Sequence, residues 1–250
     1  DILVGDIDAI PPEGTLLPEN YKFTRGDTRQ SILDRMRREQ QSALADIWKN
    51  RAPDLPVKTP EELTTLASVV EKETALSDER SRVAAVFINR LRLNMRLQSD
   101  PTVIYGLFKG AGKPPGFALS RADLDSQSPY NTYVVSGLPP GPIANPGRAS
   151  LEAVANPSRT KDLFFVADGS GGHAFAETYE AHLKNVAKWR DIKANSGAAA
   201  VAGQAQVPDA TSAPPAGDAG SQPAAAMPMA LTPPGVDDLN APDPEGAPGQ

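Results

Sequence analysis

Leu66-Ala-Ser-Val-Val-Glu-Lys-Glu-Thr-Ala-Leu76 sets two glutamates inside an otherwise apolar run, and the spacing of that run is helical. From Glu61 to Leu76, residues Leu63, Leu66, Ala67, Val70 and Thr74 recur at intervals of three and four, marking one face of a helix. At about 100° per residue the face centres on Leu63, Val70 and Leu66. Glu73 follows Val70 by three and sits at the flank of this stripe, whereas Glu71 falls further round and Lys72 points away. A carboxylate at a core-facing edge is costly unless it is paired, neutral or open to a cleft. Glu73 is therefore either a boundary residue held by an arginine such as Arg80, Arg82 or Arg90, or an acid facing a groove.

Working outward, Thr59-Pro60-Glu61-Glu62 supplies a cap, a proline at the first helical position and acid in the first turn. Upstream, Asp27 or Thr28 can cap a helix from about Arg29 to Lys49, joined to the central one by the proline-rich Arg51–Pro60. Ile2–Val4 is a short strand candidate among Pro and Gly turns. Downstream, Asp78 is the expected cap of a helix that presents Val83, Val86, Phe87 and Leu91. A loop and short helix follow from Met95 to Gly106. Residues 108–150 are irregular and rich in Gly and Pro, but they carry tyrosines and apolar residues that a solvated linker lacks, so they read as an ordered cleft wall. Ser150–Ala155 reads as a short helix. Asp162–Ala167 and His173–Phe175 read as hairpin strands around Asp168–Gly172, and Thr178 to about Lys193 as a last amphipathic helix.

These elements give an α+β class: helices on a small, mostly antiparallel sheet, with the long Pro/Gly-rich loop lining a groove. Residues 1–60 form the N-terminal part, 61–193 the core, and 194–250 an Ala/Pro-rich tail expected to be disordered. The net charge of −6 argues against nucleic acid as a partner. With no cysteine and only His173 and His182, neither a metal nor another cofactor is expected. No run is long enough to cross a membrane, and a start at Asp1 suggests a fragment or mature form.

Several ordered blocks carry a resemblance. They are Val69-Val-Glu71-Lys-Glu73-Thr74, Val86-Phe-Ile-Asn89-Arg90-Leu91, Leu97-Gln98-Ser99-Asp100-Pro101-Thr102-Val103-Ile104-Tyr105-Gly106 and Tyr130-Asn131-Thr132-Tyr133, followed by Gly137-Leu-Pro-Pro-Gly141-Pro142-Ile143 and the hairpin from Phe165 to Phe175. In this order they closely resemble the YceG-like endolytic murein transglycosylases over about residues 12–192. The family's usual N-terminal membrane anchor and LysM-like region have no counterpart in this stretch.

The resemblance implies a lytic enzyme that cleaves the β-1,4 bond between N-acetylmuramic acid and N-acetylglucosamine inside peptidoglycan strands. It would leave 1,6-anhydro ends and terminate nascent strands. It further implies glycan strands and cell-wall synthases as partners, and a place on the periplasmic face of the inner membrane. Lytic transglycosylases use a glutamate in a Glu-Ser or Glu-Thr pair, which Glu73-Thr74 matches and Glu71-Lys72 does not, so Glu73 is the expected catalytic residue with Glu71 behind it. Gln98, Ser99, Tyr105, Tyr130, Asn131 and Tyr133 are candidate sugar contacts, Asn131 for the muramic acetamido group, and His173 either lines the groove or finishes the hairpin. Asp100 is either a turn residue before Pro101 or a second carboxylate. The latter keeps a lysozyme-like hydrolase open, and a non-catalytic glycan-binding scaffold is the third reading.

Overall fold

A computed structural model describes the backbone of residues 3–203 and side chains through residue 195. The element order is α1 (Arg29–Lys49), α2 (Pro60–Glu73), α3 (Arg80–Arg92), α4 (Asp100–Phe108), a 3₁₀ turn (Lys109–Ala111), α5 (Arg121–Leu124), α6 (Arg148–Ala155), β1 (Phe164–Ala167), β2 (His173–Ala176) and α7 (Tyr179–Gly203). The architecture is α+β, with the helices packed on a two-stranded antiparallel sheet.

The helix α2 is the axis, packed by α1, α3, α4 and α6. Thr59 caps it through Glu62 N–H with Pro60 at its first position. Leu63, Leu66, Ala67, Val69 and Val70 are all fully buried, so the middle of α2 is enclosed on more sides than a single stripe suggests. Thr64, Thr65 and Ser68 are buried as well, and each hydroxyl donates to a carbonyl of the preceding turn. Truncating a residue such as Leu66 to alanine in so enclosed a position costs about 2–5 kcal/mol. Ser68 Oγ also accepts from Ile143 N–H at 2.9 Å, pinning the proline-rich segment to the central helix.

Four local expectations change. Only Val4, in an isolated bridge to Thr28, represents the strand foreseen at Ile2–Val4, with Ile2 outside the described residues. The N-cap of α3 is Glu79 rather than Asp78, and it makes no side-chain capping bond. Its carboxylate instead accepts from His173 N–H and contacts His173 Nδ1 at 2.8 Å, so a tertiary tether replaces the local cap. β1 starts at Phe164, because the carbonyls of Asp162 and Leu163 accept from the Asn89 and Arg90 side chains instead of from a strand. Finally, α7 runs on to Gly203, past the expected end at Lys193. The rest of the expected tail, 204–250, lies outside the described residues.

The hairpin pairs Phe164 with Ala176 and Ala167 with His173 around a turn in which Gly169 and Gly171 take positive φ. Its Phe165 ring meets Phe87 of α3 edge-on at 5.9 Å, joining sheet to helices.

Candidate active site

The central helix stops at Glu73 because Thr74 turns extended (φ −141°, ψ 136°). The apolar face that drives α2 inward therefore carries its last residue inward too. Glu73 lies on a cleft of about 610 Å³, whose lining includes Ile143, Ala144 and Asn145 together with Tyr105, Lys109 and Lys113. The Gly/Pro-rich region 108–150 thus contributes to the lining from both of its ends. It is irregular apart from the 3₁₀ turn, α5 and the start of α6.

Glu73 is 3% exposed, and among the described residues no cation forms an ion pair with it. Its side-chain partner is Ser99, whose Oγ donates to Glu73 Oε1 at 2.6 Å. Burial pushes the carboxyl up to about 8 from an ordinary 4.5; the Ser99 hydroxyl and, more weakly, Arg90 oppose the shift, while nearby Asp100 adds to it. Its position in the last turn of α2 acts in the same direction, since a helix C-terminus is the negative end. At neutral pH the side chain is a neutral acid that holds a transferable proton.

Two threonine hydroxyls hold the Ser99 backbone. Its N–H donates to Thr132 Oγ1, its carbonyl accepts from Thr102 Oγ1, and these two hydroxyls lie 2.8 Å apart. Ser99 is the N-cap of α4 but makes no side-chain capping bond, so its hydroxyl is left for Glu73. Arg90 is buried and lowered to about 10 by desolvation, still a cation at neutral pH. It bonds the carbonyls of Leu163 and Leu97, fixing the segment that enters Ser99. Arg90 thus touches the region as an organiser of backbone, not as the counter-ion considered from the sequence.

The other candidates divide. Tyr105 lines the cleft with its ring 4.8 Å from that of Tyr130. Tyr133 Oη donates to Asp100 Oδ1 at 2.6 Å, and burial raises Asp100 above its ordinary value. Asp100 does not line the cleft. Gln98 turns through a positive φ of 50° and donates its N–H to Thr132 O, away from the cleft lining. Glu71 borders the cleft, but its Oε2 accepts from Ser150 Oγ at 2.5 Å and from Gly147 N–H at 3.1 Å, binding it to the start of α6.

Asn131 and His173 stand off the cleft lining. Asn131 is fully buried; its amide donates to Leu124 O and Ser126 O, and its Oδ1 accepts from Tyr133 N–H. Both amide hydrogens are used inside a turn, so it has none to offer an acetamido group. His173 is held by Glu79 against the Phe165 ring and does not line the cleft; it finishes the hairpin.

Reading the sequence missed Thr102 and Thr132, which hold Ser99, and the lysines of the cleft. Thr102 and Thr132 stood inside blocks already singled out, but nothing in a single sequence shows that two hydroxyls 30 residues apart meet. Among the described residues no group of three His, Asp or Glu side chains could hold a metal ion.

Residues 4–188 match the YceG-like family. An endolytic murein transglycosylase of Bacillus subtilis is 38% identical over 183 residues, covering 73% of this chain and 49% of that protein. One from Streptococcus pneumoniae is 36% identical over 190 residues, covering 73% of this chain and 33% of that protein. The chain therefore spans between a third and a half of the length of these relatives. The crystal structure of a YceG-like protein from Listeria monocytogenes superposes with a TM-score of 0.58 at 35% identity, covering 68% of this chain and 54% of that one.

Proposed function

The chain belongs to the YceG-like family, and from that premise we propose that it is a peptidoglycan lytic transglycosylase with Glu73 as its single acid–base group. The observation that carries the reading is a buried carboxyl on a cleft, raised to about 8, with one hydroxyl and no cation as partner. The names of the relatives support the reaction class.

In the first step Glu73 donates its proton to the bridging oxygen between muramic acid C1 and glucosamine, and that C1–O bond breaks. Positive charge develops at C1, and Glu73 is now a carboxylate. It then removes the proton from the muramic acid's own C6 hydroxyl as O6 bonds to C1. The acid is restored, a 1,6-anhydro end is formed and no water is consumed. Ser99 positions the carboxyl and stabilises its charged state between the two transfers.

Ordinary glycosidases need two carboxyl groups facing the scissile bond. Asp100 would be the second, but it is bonded to Tyr133 and stands off the cleft lining, which favours the one-carboxyl reaction. Tyr105, with Tyr130 behind it, offers an aromatic surface to a sugar face. A peptidoglycan substrate lies outside the cytoplasm, and the family resemblance supports strands still under synthesis, beside the synthases that make them, as the setting. Among the described residues no helix is long and apolar enough to cross a membrane.

Digestion of purified sacculi and nascent strands followed by mass analysis of the new ends tests the reading. Anhydro ends inside former strands are expected; ends heavier by one water identify a hydrolase, and unchanged strands identify a scaffold.

A further inference from the structure

Lys109 combines three features that do not occur together elsewhere in the cleft. It ends α4 with φ 53° and ψ −148°, a backbone region that L side chains avoid and glycine tolerates. Its Nζ lies 4.7 Å from the Tyr130 ring centroid and 5.5 Å from that of Tyr105. It lines the cleft that Glu73 shares. Strain of this kind persists where the surrounding structure holds a side chain to a task. Here the strain sets an ammonium on an aromatic platform at the cleft wall.

The charge around it is uneven. Lys113 and Lys72, the latter in the last turn of α2, line the same cleft, and all three are exposed. Among the described residues none of the three forms an ion pair. Of the carboxylates lining the cleft, Glu71 is engaged by Ser150 and Gly147, and Glu73 is neutral. Glu13 lies against Gly110 without reaching a salt bridge to Lys109. An acidic chain of net charge −6 thus presents an excess of cations to its cleft. A glycan strand without peptides offers such cations only one lactyl carboxylate per muramic acid.

We propose that Lys109, assisted by Lys72 and Lys113, binds carboxylates of the peptides attached to the muramic acid residues, so that the cleft selects peptide-bearing over denuded strands. The proposal rests on the glycan reading above and names its substrate class. Three cations around one cleft match several carboxylates on a flexible peptide better than the single lactyl carboxylate that removal of the peptide leaves on muramic acid. Lys109 is then a specificity-determining residue, with the tyrosine rings holding its ammonium in place.

Binding in a Glu73→Gln background, measured by fluorescence anisotropy with labelled strands, tests this without turnover. Lys109→Met is expected to weaken binding of peptide-bearing strands about five- to tenfold. Lys109→Arg should stay within about twofold. Strands freed of peptide by an amidase should lose less than about twofold on Lys109→Met, and high salt should erase the difference between the two strand types. Lys109→Gly separates the strain from the charge: it should bind like Lys109→Met yet melt at a higher temperature. Equal binding of peptide-bearing strands by Lys109→Met and its parent overturns the proposal. So does an equal loss on denuded strands, which would assign the contact to the glycan common to both strand types. Persistent strand cleavage by Glu73→Gln would sink the catalytic reading alone, leaving the Lys109 comparison intact.

Discussion

Two carboxyl groups in this molecule are almost equally buried and chemically opposite. Asp162, 4% exposed, receives a two-pronged bond from Arg82 at 2.7 and 3.3 Å, next to the Glu79–His173 contact that ties the hairpin to α3. Glu73, 3% exposed, has a serine hydroxyl and no cation. In the hairpin region a buried charge is answered, and the result is a strut. At the cleft the charge is left unanswered, so the group keeps its proton at neutral pH and becomes a reagent. Burial alone does not separate structure from chemistry; the partner does.

Glu73→Gln offers the sharpest way to break that contrast. It should lower turnover on strands by about 10²–10⁴, the usual scale of general acid–base catalysis, while glycan binding survives. Activity within tenfold of wild type in a cleavage assay would end the distinction. Asp162→Ala should do the reverse. It removes the strut and leaves turnover per folded molecule unchanged, at a cost of about 1–3 kcal/mol in a urea titration. A loss of turnover without a loss of stability would move Asp162 into the chemistry.

Ser99→Ala gives a smaller and more specific effect. Because the hydroxyl holds the Glu73 carboxyl below where burial alone would put it, its removal should move the alkaline limb of kcat/KM to higher pH. Turnover should fall about tenfold as the carboxyl loses its orientation. An unmoved limb would deny Ser99 its role.

The same carboxyl also sets a pH dependence of stability. Glu73 binds its proton more tightly in the folded chain (about 8) than at its ordinary value of 4.5. Its contribution is thus fully present below pH 4.5 and is lost as pH rises through 8. Compared with Glu73→Gln, the wild type should lose on the order of a few kcal/mol across that window. A constant difference between the two melting curves would mean the carboxyl is already charged when folded.

The sequence disclosed this geometry unevenly, and the reasons are physical. Thr28 and Thr59 cap their helices through donors three residues on, so those starts were readable from short patterns. The flank position of Glu73 followed from helical periodicity, a property of one segment. Its partner Ser99 is 26 residues away, and Glu79 meets His173 across 94; neither pairing leaves a local trace. That distance is why Asp78 looked like the cap of α3, and why His173 and Asn131 looked available to a ligand. Lys109 was hidden for another reason: its strained backbone is imposed by tertiary packing, and an ordinary lysine gives no sign of it.

Proton donation by Glu73 requires that its carboxyl be neutral in the folded protein. A ¹³C titration of its carboxyl, assigned by difference from Glu73→Gln, reads that state directly. A midpoint near 8 is predicted. A midpoint near the ordinary 4.5 would make the group an anion throughout the neutral range and contradict its part as the proton donor.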